Sequence, residues 1–484
     1  METLHFDVVI VGAGLSGIGA AYYVQTECPR KSYTVLEARD AIGGTWDLFR
    51  YPGVRSDSDM YTLGYRFHPW RDPKAIADGP AILSYIRETA QTYGIDRHIR
   101  FRHKLIHAEW SSETMRWTLQ VATDAGVQAI VCQFLYSCGG YYDYDQGYTP
   151  TWPGMERFQG QIIHPQQWPT DLDYTGKRVI VIGSGATAVT LVPAMTDRAE
   201  HVTMLQRSPT YIFSMPSEDT FANTIRRLLP EQAAYVVARW RAILFTIYSY
   251  FMARRFPQTV KKSLLQAIRD QLGPGFEVEK HFSPTYNPWD QRLCLVPDGD
   301  LFNVIKAGKA SIVTDEIETF TERGICLKSG EELPADIIVT ATGLVMRLMK
   351  GVTMIVDGRT IELNQLMSYK GMMLSDVPNL AFAIGYTNAS WTLKCELTSQ
   401  YVCRLLNYMD QQGYAYAVPR QHDPEVLPEP VINFNSGYVL RAMDSLPKQG
   451  SKPPWKLYQN YILDLMTLKH GQLADGTIEF GRAR

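Results

Sequence analysis

Three absences bound what this chain can be. It has no excess of either charge: 48 Lys and Arg stand against 50 Asp and Glu, a formal net charge of −2, so nothing points to a nucleic acid or other polyanion as partner. It has no cysteine pattern. Cys28, Cys132, Cys138, Cys294, Cys326, Cys395 and Cys403 are odd in number, scattered, and never spaced Cys-x-x-Cys. That argues against a disulfide framework, a bound metal and dithiol redox chemistry, and favours a reducing compartment, the cytoplasm. It also lacks a long hydrophobic run. "RAILFTIYSYFMARR", residues 241–255, holds about a dozen apolar residues between arginines, short of the roughly 20 a spanning helix needs. We read it as a packed helix in a helical subdomain; the alternative is a surface helix touching a membrane or another subunit, so any membrane contact is peripheral at most. No signal peptide is expected, because "FDVVIVGAG" at 6–14 already reads as a buried strand entering a turn.

At 484 residues the chain exceeds one ordinary core, and two or three domains are expected. What it does contain is two glycine turns. In "VVIVGAGLSGIGA" a strand runs into Gly12, Gly14 and Gly17, and a helical pattern follows. Gly12 permits the tight turn, Gly14 lets the backbone approach a pyrophosphate on the helix N-terminus, and Gly17 allows helix and strand to pack closely. The next strand, "YTVLEA", ends at Glu37, 20 residues after Gly17, where a carboxylate binds a ribose diol.

The second turn is "KRVIVIGSGATAVTLVPAM", with Gly183, Gly185 and Ala188 in the same geometry and Thr187 on the helix start. Its following strand, "HVTMLQRSPT", ends not in an acid but in Arg207 and Ser208. An arginine there pairs bidentately with a 2′-phosphate, and the missing carboxylate removes a repulsion; the alternative for Arg207 is a solvated surface charge. The first site thus reads as one for a free 2′-hydroxyl and the second as one for NADP(H). Two such sites in one polypeptide imply two nucleotide cofactors, and FAD with NADPH is the natural pair. Between them, "GGTWDLFRYPGVRSDSDMY" carries Gly44, Thr45 and Trp46 and reaches Asp57. It reads as a loop of close-approaching backbone and flat rings suited to a flavin, with Asp57 free to hold the nicotinamide amide or orient a cation.

These motifs, with "FQGQIIHPQQWP" at 158–169, resemble the class B flavoprotein monooxygenases, and more narrowly the type I Baeyer–Villiger monooxygenases. The family pattern falls on Phe158, Gly160, His164, Trp168 and Pro169. A second pattern runs from Gly43 through Asp57. "GGTWDLFRYPGVRSDSDMYTLGY", "NPWDQRLCLVP" and "GYTNASWTLK" closely resemble a mycobacterial, ethionamide-activating branch. Trp168 favours the Baeyer–Villiger branch over the N- and S-oxygenating one.

The resemblance implies an α/β fold of two Rossmann-like dinucleotide-binding domains, for FAD and NADP, with a helical insert. The expected boundaries are 1–145 and 376–484 for FAD, 146–214 and 290–375 for NADP, and 215–289 for the insert. It implies a ketone oxygenase using NADPH and O2 through a flavin C4a-peroxide, with sulfoxidation of sulfides or thioamides. Arg292 is the implied active-site cation, oriented by Asp57 and bordering the nicotinamide; on residue type alone it would be a structural ion pair. His164 is implied to couple domains rather than act as a base; an ordinary hydrogen-bonded loop histidine is the alternative. Many relatives have Lys before the arginine where this chain has Gln291, which shifts NADPH selectivity onto Arg207 and Ser208. "DIIVTATGL", with Thr342 and Gly343, and "FLYSCGGYY" read as hinge strands. "TNASWTLK" is expected against the flavin, and "LPKQGSKPPWKLYQNY", 446–461, has the composition of a lid. The rival readings are an S- or N-oxygenase with little ketone activity, and a non-catalytic NADPH sensor.

Overall fold

A computed structural model describes residues 2–432, 434 and 436–483. The Leu4–Val11 strand lies inside a parallel region, and its Val8, Val9 and Ile10 are fully buried, as a strand covered on both faces requires. It pairs in parallel with Tyr33–Leu36 and with Gly126–Ser137, and the helix Leu15–Glu27 makes the crossover. Beyond Gly126–Ser137 the sheet turns antiparallel through Arg116–Thr123 and Lys104–Ser111. Thr353–Val356 and Arg359–Thr360 then extend that edge, while Leu380–Phe382 pairs with Gly126–Ser137. The chain therefore re-enters this sheet at Thr353, well before the expected return at 376.

The second sheet has five parallel strands, in the order Ala310–Thr314, His201–Gln206, Arg178–Ile182, Ile337–Thr340, Gln161–Ile163. It has its own core of Val179, Val181, Val202, Met204 and Val339. The two passages between the sheets, Tyr142–Gly147 and Leu344–Met346, pair with each other antiparallel.

The insert is helical, with Thr220–Leu228, Glu231–Arg255, Pro257–Leu272 and Val278–Phe282. The apolar run at 241–255 is the second half of a helix of 25 residues. One face packs: Tyr235, Ala238 and Ile243 join the first core, while Leu265, Ile268 and Leu272 of the next helix join the second. Polar contacts pin it further. Arg239 donates to the carbonyls of Tyr61 (2.8 Å) and Gly64 (2.7 Å) and pairs with buried Glu396. Glu396 also accepts from the Tyr23 hydroxyl (3.0 Å) and the Arg66 N–H (2.9 Å), so neither buried charge is left unsatisfied. Among the described residues no helix is long and apolar enough to cross a membrane.

Candidate active site

Both glycine turns open into one cleft of about 980 Å³, lined by Gly12, Gly14, Glu37, Gly44, Thr45, Trp46 and Asp57 on one side and by Gly183, Gly185, Thr187, Arg207, Ser208 and Arg292 on the other. Gly17 and Ala188 lie behind their turns. A Cβ on Gly17 would stand 1.8 Å from the Gly12 carbonyl oxygen, so strand and helix close only because none is there. Gly12 has φ +103°, and a Cβ there would meet the Cys138 carbonyl oxygen at 2.8 Å. Gly14 caps the Leu15–Glu27 helix with no side chain bonded to the helix end, leaving N–H groups for an anion. A Cβ on Gly44 would lie 3.1 Å from Gly14 Cα, so turn and loop meet backbone to backbone.

Glu37 accepts from the N–H of Ala13 (2.7 Å) and of Arg39 (2.9 Å). These bonds fix the carboxylate at the cleft wall and leave lone pairs for a ribose diol. Asp47, gripped by Arg39 (2.7 Å) and Arg87 (2.9 Å), holds the Thr45–Leu48 turn of helix in place. Aromatic residues complete the wall. Tyr141 stacks on Trp391 with centroids 4.8 Å apart, and its hydroxyl meets that of Tyr142 at 2.5 Å. Burial raises the pKa of Tyr141 and Tyr142 and pushes Tyr51 and Tyr144 up to about 12, so these rings stay neutral. The turn and loop therefore fit a flavin dinucleotide.

The second turn repeats the logic with one difference. Gly183 has φ +139°, and a Cβ on it would lie 2.4 Å from the Ala341 carbonyl oxygen; a Cβ on Gly185 would meet nothing within 4 Å. The Ala186–Met195 helix again begins with no side-chain cap. Arg207 and Ser208 are exposed and line the cleft. Asp315 and Glu316 line the same cleft. Glu316 is held below its ordinary pKa chiefly by its hydrogen bond to Lys328, and also feels Arg207. The His201–Gln206 strand that leads into Arg207 carries no acid, but the neighbouring Ala310–Thr314 strand delivers two just past its end.

Arg292 sits between the two halves. Its Nη2 donates to Asp57 Oδ1 at 3.0 Å, and its Nε lies 2.8 Å from Asp57 Oδ2 in an ion pair. The Asp57 charge raises the guanidinium pKa further above its already high ordinary value. Tyr141, Tyr142 and Tyr438 surround it, and Cys294, raised to about 12 by burial, lies beside it as a neutral thiol.

A family model described as flavin-binding monooxygenase-like matches residues 6–408. The chain belongs to that family. It is 55% identical over 481 residues to the FAD-containing monooxygenase EthA of Mycobacterium tuberculosis, covering 99% of this chain and 98% of the relative. It is likewise 55% identical over 483 residues to EthA of Mycolicibacterium smegmatis, covering 100% and 98%. In fold it is similar to a steroid monooxygenase bound to NADP, with a TM-score of 0.77 at 22% identity, covering 99% and 100%.

For a flavin-binding monooxygenase the placing of "FQGQIIHPQQWP" is informative, because none of Phe158, Gly160, His164, Trp168 or Pro169 lines the cleft. Phe158 is buried beside Ile338 and Phe320, Trp168 packs on the second core, and Gly160 leaves room for the Asp336 carbonyl, which a Cβ would meet at 2.3 Å. His164 touches both interdomain passages. Its Nε2 contacts the Gly343 carbonyl at 3.1 Å, its Nδ1 accepts from the Gln166 N–H at 3.2 Å, and its ring lies where a Gly147 Cβ would stand, 1.9 Å away. These contacts define the neutral Nε2–H tautomer, and burial lowers the pKa accordingly. Thr342 and Gly343 do line the cleft, and Thr342 donates to the Tyr148 carbonyl at 2.7 Å.

The tract with the composition of a lid lies away from the cleft lining. Within 446–461, Lys448–Gly450 pairs with Pro428–Pro430 and Trp455 is buried in the first core, and none of these residues lines the cleft. Ser436, Gly437, Tyr438 and Arg441 do line the cleft, with Arg441 over the Tyr148 ring at 3.4 Å. From "TNASWTLK", Ala389 and Trp391 line the cleft, and Trp391 donates to Ser16 Oγ at 2.8 Å.

Proposed function

We propose that the chain is a Baeyer–Villiger monooxygenase that uses FAD, NADPH and O2 to convert ketones to esters or lactones, and that it also oxidises sulfides or thioamides. The observation that supports this reading is Arg292, a permanent cation fixed by Asp57 in a cleft shared by both glycine turns. Bound FAD supplies hydride acceptance from NADPH and activation of O2. The protein's part is to bind, orient and stabilise charge. Gly14 and the uncapped helix behind it receive the FAD pyrophosphate, and Glu37 its ribose. Gly185 and Arg207 take the corresponding parts of NADPH. Asp57 occupies the guanidinium edge formed by Nε and Nη2, so the remaining N–H donors of Arg292 are free for the cleft. They are placed to stabilise negative charge developing on a carbonyl oxygen, which is often the largest single contribution to catalysis. The neutral tyrosines and Trp391 line the wall beside that charge without adding a charge of their own.

The test is a product-resolved assay of the flavin-loaded enzyme with NADPH, O2 and ketones, sulfides and thioamides in turn. Ester or lactone formation together with sulfoxidation is expected. Sulfoxide without any ester would reassign the chain to S-oxygenation, and NADPH use that no substrate stimulates would leave a sensor.

A further inference from the structure

The Glu231–Arg255 helix is only half used by the fold. Opposite its packed face, Val237, Trp240, Leu244, Phe245, Tyr248 and Phe251 are between 39% and 61% exposed. From Val237 to Phe251 they form a stripe roughly 21 Å long at the rise of an α-helix. The stripe does not end at the helix. The Trp240 ring contacts Tyr461 edge-on, with centroids 6.0 Å apart, which brings the exposed Ile462, Leu463 and Met466 alongside. A contiguous apolar surface of this kind marks a site of interaction.

Charge indicates the occupant. The chain as a whole carries a net charge of −2, yet residues 220–256 hold Arg226, Arg227, Arg239, Arg241, Arg254 and Arg255 against Glu231 alone. Arg239 is buried against Glu396; Arg241 and Arg254 are paired with Asp219 and Asp290. Among the described residues Arg227 and Arg255 have no carboxylate partner. We infer that this face docks peripherally on an anionic lipid surface, with the aromatic and aliphatic stripe in the interface and the arginines against the headgroups. A second copy fits less well, because a twofold contact through this face would offer the unpaired Arg255 of each copy no acid from the apolar stripe. The helix lies on the membrane rather than through it, since no described helix is long and apolar enough to span. The Arg239–Glu396 pair joins this helix to the one that begins at Trp391 on the cleft wall, so docking places the catalytic cleft close to a reservoir of apolar substrates.

The experiment is co-sedimentation of the full-length, flavin-loaded chain with phosphatidylcholine vesicles with and without phosphatidylglycerol, read by flavin absorbance. Binding is expected only to the anionic vesicles and should weaken with salt. Leu244→Glu/Phe251→Glu should reduce partitioning at least about tenfold through lost apolar burial. Arg227→Gln/Arg255→Gln should reduce it about fivefold per arginine. Both variants should retain flavin and NADPH oxidation with a water-soluble substrate; if the first loses flavin, the arginine pair decides. Three results would overturn the inference: no binding to anionic vesicles at low salt, binding that neither variant weakens, or a dimer in sedimentation velocity that the glutamate variant dissociates while vesicles are ignored.

Discussion

Asp57 and Arg292 lie 235 residues apart and meet through one hydrogen bond, 3.0 Å from Nη2 to Oδ1, and a close ion contact, 2.8 Å between Nε and Oδ2. The paired contact fixes the guanidinium plane as well as its position, which a single bond could not do. Asp57 comes from the loop that closes on the first glycine turn, and Arg292 from just before the Cys294–Pro297 strand beside the second. The pair thus ties the two glycine-turn halves of the cleft together through a charged contact.

Arg292→Ala should fold and keep its flavin, because Arg292 contributes to neither glycine turn. Ketone oxygenation should fall roughly 10²–10³-fold, the scale for removing one oxyanion donor. NADPH should still be consumed, with hydrogen peroxide released in place of ester, and sulfide oxidation should suffer less. Quantifying ester, sulfoxide and peroxide against NADPH checks this. Wild-type ester yields would remove Arg292 from the chemistry.

Gly14→Val should yield a chain deficient in flavin. The added side chain would crowd the mouth of an uncapped helix, where Gly44 Cα already stands 3.5 Å from the Cβ position. Flavin-to-protein absorbance after purification is the measurement. A variant that is fully yellow would mean that the pyrophosphate lies elsewhere.

The two turns were legible in the sequence because their geometry is local: glycines at fixed spacing, a strand before and a helix after. Glu37 was legible for the same reason. Arg292 was not, since an arginine ahead of a short strand is most often a structural ion pair; only the family resemblance marked it out. Asp315 and Glu316 were hidden because the strand that delivers them reaches Arg207 through sheet order, which no local pattern encodes. Tyr438 and Arg441 were hidden in a helix of only six residues, Gly437–Ala442. The 446–461 tract misled for the opposite reason. Its prolines and glycine have the composition of a lid, but Trp455 is buried and the tract does not line the cleft.

Those two acids alter what is expected of cofactor choice. Arg207→Ala removes one charge-assisted phosphate contact, worth about 1.5–3 kcal/mol, so kcat/KM for NADPH should fall roughly 10- to 150-fold with little change for NADH. Glu316→Gln should act oppositely and improve NADPH use, because it removes a negative charge near the 2′-phosphate site. Steady-state kinetics with both nucleotides separates the cases. Equal loss for NADPH and NADH in Arg207→Ala would make that arginine structural.

His164 gives the chain a pH dependence of known sign. Burial lowers its folded pKa from the ordinary 6.5, so the unfolded chain takes up the proton first as pH falls. The stability that His164 confers is therefore complete above 6.5 and is lost as pH falls from there through the folded pKa. Geometry gives the cause: a proton on Nδ1 would face the Gln166 N–H, one donor against another. His164→Gln can still donate to the Gly343 carbonyl but cannot titrate. Its fall in Tm between about pH 7.5 and about pH 5.5 should be smaller than that of the wild type. It should not vanish, because His68 and His281 are also lowered by burial and remain. Paired thermal melts at the two pH values make the measurement, with flavin content as the check on folding. An unchanged acid slope would mean that His164 is not protonated on unfolding, and that its contact with the hinge carries no proton-linked stability.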